Sequence, residues 1–417
     1  MRLLSTGKKC AIRFQPRRLP NRQQLFMQYI FILGREPELS TAEIFSLFKR
    51  LKIEYKVSFF QKETLILDII EKMDTAKVMA QLGGTIKIAE VKKQFGKIES
   101  IDFKKEILNL IKEKITDKKI FFGISAYIGK FPTLGLQIKK ELANQEIKAR
   151  FVSSREKVLS SVVVKTNKLL NENGLEIIIA GDKNQIWIGR TLIIQPFAEF
   201  SERDYGRPGR DKFSGMLPPK LAKILVNLAE ISQDAVILDP FCGSGTILTE
   251  AMLMEYVNVL GSDNSDKAIA DAQKNIDWLK LKNCKLTKCN AVLLSKCFPA
   301  NSVDAIITEP FLGPPLRDRE TKENIQKIID GLTQLYYASL NEFAKVLKPN
   351  GVIIMIWPVL QQRFFLPLLE KMTIMNLRIE SLFPPAFQQF KTQRQTLIYA
   401  RPDQKVGREI IKLKRSG

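Results

Sequence analysis

From Met27 onward, short apolar runs alternate with stretches whose apolar residues recur every three to four positions, the pattern of strands interleaved with one-face-buried helices. Gln28-Tyr-Ile-Phe-Ile-Leu33 predicts a strand. Ser40-Thr-Ala-Glu43 has the spacing of a capping box, opening a helix that carries Ile44, Leu47, Phe48 and Leu51 on one face. A strand at 64–70, a helical stretch at 72–82 and a strand at 86–92 complete a β-α-β-β-α-β count, which predicts a small ferredoxin-like module over 27–95. Residues 96–195 predict a second small α/β unit, with helices near 101–115, 134–145 and 155–172 and strands near 119–126, 148–152, 175–180 and 185–194.

The polar, Gly- and Pro-rich stretch within 196–218 reads as a linker. Pro218-Pro219 then opens a helix with Leu221, Leu225 and Leu228 in register, proline being tolerated in a first turn. Over 219–417, strands near 235–239, 257–262, 285–289, 303–308, 351–357, 376–382 and 395–401 alternate with helical stretches at 246–255, 265–278, 324–347 and 360–373. Such alternation predicts an α/β domain with a mostly parallel sheet covered on both faces. The last two strands, with no helix between them, predict a closing antiparallel hairpin.

Composition narrows the chemistry. The chain has 417 residues, enough for two or three domains, and 45% are apolar. Its 66 basic residues exceed its 44 acidic ones, for a net +22, which favours a polyanionic partner, nucleic acid most simply. Scattered solvated lysines would give the same count, and beyond residue 26 neither half of the chain concentrates the excess. Residues 1–26 hold seven basic residues and no acid, without helical or strand period; they predict a disordered tail, either an RNA-gripping arm or an extension upstream of the true start. The absence of histidine removes the usual neutral-pH general base and the commonest zinc ligand. The five cysteines form no C-x-x-C pair, so neither a metal site nor a disulfide framework is expected, and a reducing, cytoplasmic setting fits. No apolar run approaches ~18 residues, so no transmembrane helix is expected.

Four strand ends carry candidate chemistry. In Asp239-Pro240-Phe241-Cys242-Gly243-Ser244-Gly245 a strand ends in an acid, glycines allow close backbone approach, and a helix start offers free amides. Leu248 stands where a dinucleotide fingerprint wants its third glycine, and the acid suits a cationic ligand such as S-adenosylmethionine better than a pyrophosphate. A carboxylate that merely caps the turn is the alternative. Asp263-Asn264 closes the next strand, where a carboxylate can accept ribose hydroxyls or cap the following helix. Asn290-Ala291 after the third strand could meet an adenine edge or simply form a turn. Thr308-Glu309-Pro310-Phe311-Leu312-Gly313 resembles a variant of the Asp/Asn-Pro-Pro-Tyr/Phe motif of methyltransferases that act on exocyclic amino groups of bases. There a side chain accepts the amine hydrogen and an aromatic ring holds the flipped base. Glu309 replaces the shorter group, one proline is missing, and with Gly313 as anchor Leu312 rather than Phe311 takes the aromatic place.

The ordered block Arg203-Asp-Tyr-Gly-Arg207-Pro-Gly-Arg210, Met216-Leu-Pro-Pro-Lys-Leu-Ala222, Val226-Asn-Leu-Ala229 and Asp239–Gly245 resembles the THUMP-domain tRNA guanine-N2 methyltransferases of the archaeal and eukaryotic guanosine-10 type. Phe31–Ser40, Gly123–Tyr127, Lys139–Leu142 and Leu159–Val162 are similar to the front of the same family. The resemblance implies a ferredoxin-like module, a THUMP domain at 96–195 that grips tRNA, and a Rossmann-like class I methyltransferase domain at 219–417. It implies S-adenosylmethionine held by Asp239–Gly245, Asp263, Asn264, Asn290 and Ala291, with Glu309, Pro310 and Phe311 at the guanine amine. Arg203, Arg207 and Arg210 would lie at the joint between halves, contacting phosphates or pairing with Asp204 and Asp211. No metal is required. Eukaryotic members use a small activator protein, for which no interface is legible here, nor is an oligomeric state. Methyl transfer to a tRNA guanosine is therefore the expected function; the alternatives are a tRNA-binding protein with an altered site, and a DNA amino-methyltransferase, which leaves 27–200 without a purpose.

Overall fold

The computed structural model describes residues 26–114, 118–210, 216–316, 320–385, 387, 392–401 and 404–416. The expected tail, Asp211 and the segment around 115 therefore lie outside or at the border of the described residues. The described residues form two compact units, one within 26–37, 53–79 and 85–195, the other within 38–52, 80–84 and 196–416. Among the described residues no helix is long and apolar enough to cross a membrane.

In the first unit, strands β1 (Met27–Leu33), β2 (Tyr55–Gln61), β3 (Thr64–Ile69), β4 (Thr85–Phe95), β5 (Ile120–Ala126), β6 (Ala149–Val152), β7 (Gly174–Gly181) and β8 (Ile186–Ile194) form one sheet in the order β2-β3-β1-β4-β8-β7-β5-β6. β4 runs antiparallel to β8 from Lys87–Ile194 to Phe95–Ile186, so 27–95 and 96–195 share a sheet. Lys87 is fully buried on this sheet, which is tolerable because Glu176 and the Leu159 carbonyl take its ammonium while Ser125 and Thr191 satisfy the same carboxylate. The 155–172 stretch is helical only over Ser161–Thr166, opened by Ser160, whose Oγ accepts from Val163 N.

The second unit is built on β9 (Val236–Asp239), β10 (Asn258–Asp263), β11 (Cys284–Lys288), β12 (Val303–Thr308), β13 (Leu347–Leu360), β14 (Leu377–Glu380), β15 (Leu397–Tyr399) and β16 (Val406–Arg415). Its order is β11-β10-β9-β12-β13-β16-β14, with β15 beside β16. The first five are parallel and β16 is antiparallel to its neighbours. Helices Thr246–Leu253, Asp266–Trp278 and Lys322–Val346 make the crossovers. Because the chain steps outward from β9 to β11 and then returns to β12 on the other side of β9, a crevice opens above the carboxyl ends of β9 and β12.

Four local expectations change. The first long helix runs Pro37–Leu51, with proline in its first turn, so Ser40 and Glu43 are interior rather than a cap. Glu43 is buried and instead accepts Gly83 N and Gly84 N, both at 2.8 Å, and Asn227 Nδ2 at 2.9 Å. The apolar period at 360–373 is not a helix: Gln361 and Gln362 both have positive φ, and Leu366, Leu368 and Met372 enter the core on short turns. The linker is ordered in its first part, with helical turns at Phe197–Ser201 and Glu202–Gly206. The closing hairpin is replaced by β16, which takes β14 and β15 on one side and β13 on the other. Its charges hid it, and the three that are buried are paired inside the fold: Glu409 with Arg394, Lys412 with Glu230, and Arg408 with Glu309.

Candidate active site

The four strand ends singled out in the sequence converge on one cavity of about 600 Å³, lined by Asp239, Pro240, Phe241, Cys242, Gly243, Ser244, Asp263, Asn264, Asn290, Ala291, Glu309, Pro310 and Phe311. Parallel pairing aligns them: Gly261 pairs with Asp239, Asp263 with Lys288, and Ile306 with Leu238, which brings every carboxyl end to the same edge.

Gly245 does not line the cavity. It starts the crossover helix in a left-handed conformation, φ +80°, and a Cβ there would meet Ala272 Cβ at 3.1 Å. Its freedom therefore serves the turn and close helix packing rather than ligand contact. Gly243, φ +50°, has open space at its Cβ direction and donates its N–H to Asp263 Oδ2 at 3.0 Å.

Asp239 is 2% exposed. Its Oδ1 accepts Thr308 Oγ1 at 2.6 Å and Phe241 N at 3.1 Å, so it both caps the turn and is fixed by β12. No donor among the described residues reaches Oδ2. Burial pushes this carboxyl up to about 7; the bonds from Thr308 and Phe241 oppose the rise, and the charges of Asp263 and Glu309 add to it. A cationic ligand would relieve that burden. Asp263 accepts Gly243 N and, at 3.0 Å, Ser265 N, while the helix cap itself is Ser265, whose Oγ accepts Ala268 N at 3.3 Å. Asp263 is thus held in place by the glycine loop, with lone pairs remaining for hydroxyl donors. Asn290 Oδ1 accepts Val292 N at 3.2 Å, which commits the oxygen to a turn and leaves its NH2 for a ligand. Burial, reinforced by Asp239 and Asp263, raises the Cys242 thiol far above its ordinary range, so it is a neutral wall of the cavity.

At the other rim, Glu309 Oε1 accepts Arg408 Nε at 2.6 Å, and Tyr336 OH donates to the Phe311 carbonyl at 3.0 Å. Phe311 is 52% exposed, a large apolar face presented at the mouth. Leu312 and Gly313 also line the cavity. Sequence reasoning missed Thr246, Thr308, Tyr336 and Arg408. A threonine ending a buried strand beside an acid is a usable signal for Thr308. Arg408 lies 99 residues from Glu309 and carries none.

The connector arginines hold the glycine loop's helix. Arg203 donates to both oxygens of buried Glu250, at 2.5 and 3.3 Å, rather than to Asp204. Arg207 is 4% exposed; it donates to Thr246 Oγ1 at 2.5 Å and lies 3.6 Å from Asp204. Arg210 Nε donates to the Arg207 carbonyl at 3.0 Å. Arg203 and the buried Arg207 are thus engaged within the fold in ion pairs and bonds of this kind.

A disulfide, Cys289–Cys297, corrects the expectation of none: the turn after β11 brings the two Cα atoms to 6.4 Å despite a separation of 8 residues. It brackets Asn290 and Ala291. Cys297→Ser is expected to lower unfolding stability by about 2–3 kcal/mol, as for a closed loop of this length, read as a lower denaturant midpoint. An unchanged midpoint under oxidising conditions would show that the bridge does not form.

A sheet of this strand order, with an acid-ended first strand, a glycine turn and an acid ending the second, defines a class I methyltransferase. Residues 207–380 match the RMKL-like, methyltransferase domain family. The chain is 26% identical over 327 residues to the tRNA (guanine(10)-N2)-dimethyltransferase of Pyrococcus abyssi, covering 75% of this chain and 89% of that protein. It is 32% identical over 145 residues to the probable tRNA (guanine(10)-N2)-dimethyltransferase of Methanothermococcus thermolithotrophicus, 32% of this chain and 77% of the relative. The crystal structure of TrmN from Thermus thermophilus shares the fold, with TM-score 0.56, 15% identity, and coverage of 93% of this chain and 99% of that one. The chain belongs to the tRNA guanine-N2 methyltransferase family, whose methyl donor is S-adenosylmethionine.

Proposed function

We propose that this protein transfers a methyl group from S-adenosylmethionine to the exocyclic N2 of a guanosine in tRNA, with guanosine-10 as the first position to examine. The carrying observation is that Glu309, Pro310 and Phe311 follow β12 at the rim of the same cavity that Asp239, Gly243 and Asp263 also line. The free Oδ2 of Asp239 suits the cationic end of the donor, Asp263 the ribose hydroxyls, and the Asn290 amide with Ala291 the adenine edge. Residues 96–195 supply the surface that holds the tRNA, and the reaction belongs to the cytoplasm, where tRNA is found.

When bound, the donor supplies a methyl group on a sulfonium sulfur. Glu309 accepts one N2 hydrogen of the guanine, which turns the nitrogen lone pair toward that methyl. Held by Asp239, Gly243 and Asp263, the donor would give up that methyl to N2 with its sulfur leaving as a neutral thioether, so the new N–C bond replaces the C–S bond. The displaced N2 proton passes to Glu309 and then to water. Exposed Phe311 supports the flipped base by stacking. Asp239 and the glycine loop would hold the donor end in place while Glu309 orients the amine.

The test is incubation with radiolabelled S-adenosylmethionine and unmodified tRNA transcripts, followed by nucleoside digestion. Labelled N2-methylguanosine or N2,N2-dimethylguanosine is expected, at position 10. Label in adenine or cytosine would overturn the guanine assignment. Cofactor binding without transfer across a tRNA pool would point instead to a tRNA-binding protein.

A further inference from the structure

β16 is a central strand, paired through Pro358 on one side and Tyr399 on the other at Arg408. Alternation sends the neighbouring Glu409 to Arg394 and Thr396 and Arg408 to Glu309. The Arg408 and Glu309 side chains are 10% and 12% exposed, so neither charge is left to water. Among the described residues Glu309 is the one carboxylate in salt-bridge range of Arg408, and no acceptor is bonded to its Nη groups. Leu316, further along the chain from β12, is also held, by Lys405, the residue just before β16, whose Nζ donates to the Leu316 carbonyl at 3.1 Å. The acid at the reacting rim therefore stands against a rigid wall, one oxygen bonded and the other open.

That geometry has a chemical consequence. A glutamate is one methylene longer than the acid or amide usual in its motif, and untethered it would sample several rotamers. Tethered through Oε1 it presents Oε2, together with the second lone pair of Oε1, as two adjacent acceptors in one plane. Guanine is the base whose Watson–Crick edge sets two donors, N1–H and N2–H, side by side. Adenine and 2-aminopurine place an acceptor at N1, which a carboxylate repels.

We propose that Arg408 is the positioning residue that turns Glu309 into a two-oxygen reader of the guanine N1–H and N2–H pair, and that this reading selects guanine over other amino-bearing bases. The inference rests on the proposed methylation of guanine N2. A site built to bond a donor rejects analogues that lack it far more strongly than an apolar pocket rejects a wrong shape. The Glu309–Arg408 pair, rather than the altered aromatic position, then carries base specificity.

The test compares tRNA transcripts carrying guanine or 2-aminopurine at the nucleotide found to be methylated. Both bases have the N2 amine, and only guanine has N1–H. The wild-type protein is expected to prefer guanine by about 100-fold in kcat/KM, the range of a good bidentate base contact. Glu309→Gln, whose amide can turn its NH2 toward an N1 acceptor, is expected to reduce the preference to less than about fivefold. Arg408→Gln is expected to lower kcat on guanine at least about tenfold and to narrow the preference, with the cofactor Kd within about threefold, and Arg408→Lys to restore part of both. A wild-type protein that methylates the two bases equally, or an Arg408→Gln protein with unchanged kcat and preference, would overturn the proposal. The Glu309→Gln preference reads the two-donor contact even where an Arg408 variant fails to fold. Failure of the wild-type protein to methylate guanine at all would instead overturn the functional reading beneath it.

Discussion

Glu309→Ala is expected to lower kcat for tRNA methylation at least about 100-fold while leaving the Kd for S-adenosylmethionine within about threefold. The two effects separate because Glu309 stands at the rim with Phe311, while the groups proposed to hold the donor, Asp239, Gly243 and Asp263, belong to β9, β10 and the loop after β9. Asp263→Ala should do the reverse, weakening cofactor binding at least about tenfold through lost charge-assisted bonds to the ribose. It also releases Gly243 N, which Asp263 Oδ2 now accepts at 3.0 Å, so the loop loosens with the contact. Isothermal titration and single-turnover kinetics check both. Equal loss of cofactor affinity in the two variants would contradict this division. Alanine at 309 also strands buried Arg408, at a cost of about 3 kcal/mol, so the comparison is made well below the variant's melting temperature. Glu309→Gln keeps a partner for the guanidinium and should melt closer to the wild type.

The second large effect is a pH dependence of cofactor affinity set by Asp239. Burial raises its carboxyl to about 7 in the free protein, and only the ionised form attracts the donor's cationic end. Affinity should therefore increase about tenfold between pH 6 and pH 8, and Asp239→Asn should both flatten that slope and weaken binding at pH 8. The sign for stability is opposite. A carboxyl raised from 3.8 to about 7 in the folded state binds more protons folded than unfolded, so its contribution is full below about pH 4 and is lost as pH rises through about 7. Glu43, also raised to about 7 by burial despite the bonds from Gly83, Gly84 and Asn227, acts in the same direction. Denaturant midpoints measured from pH 5 to 8 should fall in the free protein, and less steeply with cofactor present. A flat cofactor affinity across this range would remove Asp239 from the cation's side.

Reading the chain by its apolar period was most successful where strands are buried on both faces. Val236–Asp239 and the Ala305–Thr308 part of β12 are short apolar runs ending in polar groups, which is how a parallel strand entering a crevice must look. It failed where burial came without the expected period. β16 mixes Arg408, Glu409 and Lys412 into its apolar residues and reads as surface until their partners are known. Helical spacing at 360–373 came from core contacts made by irregular turns. Ser40 and Glu43 had the spacing of a cap without its position, because proline at 37 had already started the helix.

The sequence by itself determined the strand ends and their residue types: an acid ending β9, a glycine turn, an acid ending β10, an amide after β11, and Glu309-Pro310-Phe311 after β12. Those are local facts, since strand, turn and helix start are fixed by neighbours a few positions apart, and the resemblance to guanine-N2 methyltransferases rests on them. Only the tertiary structure decided what each group faces. Thr308 reaches Asp239 across 69 residues, Arg203 reaches Glu250 across 47, Cys289 finds Cys297, and Arg408 meets Glu309 across 99. Such pairings leave no period in the chain, because what stabilises them is the shared burial of two polar groups or two sulfurs, and that burial exists only once the sheet has formed.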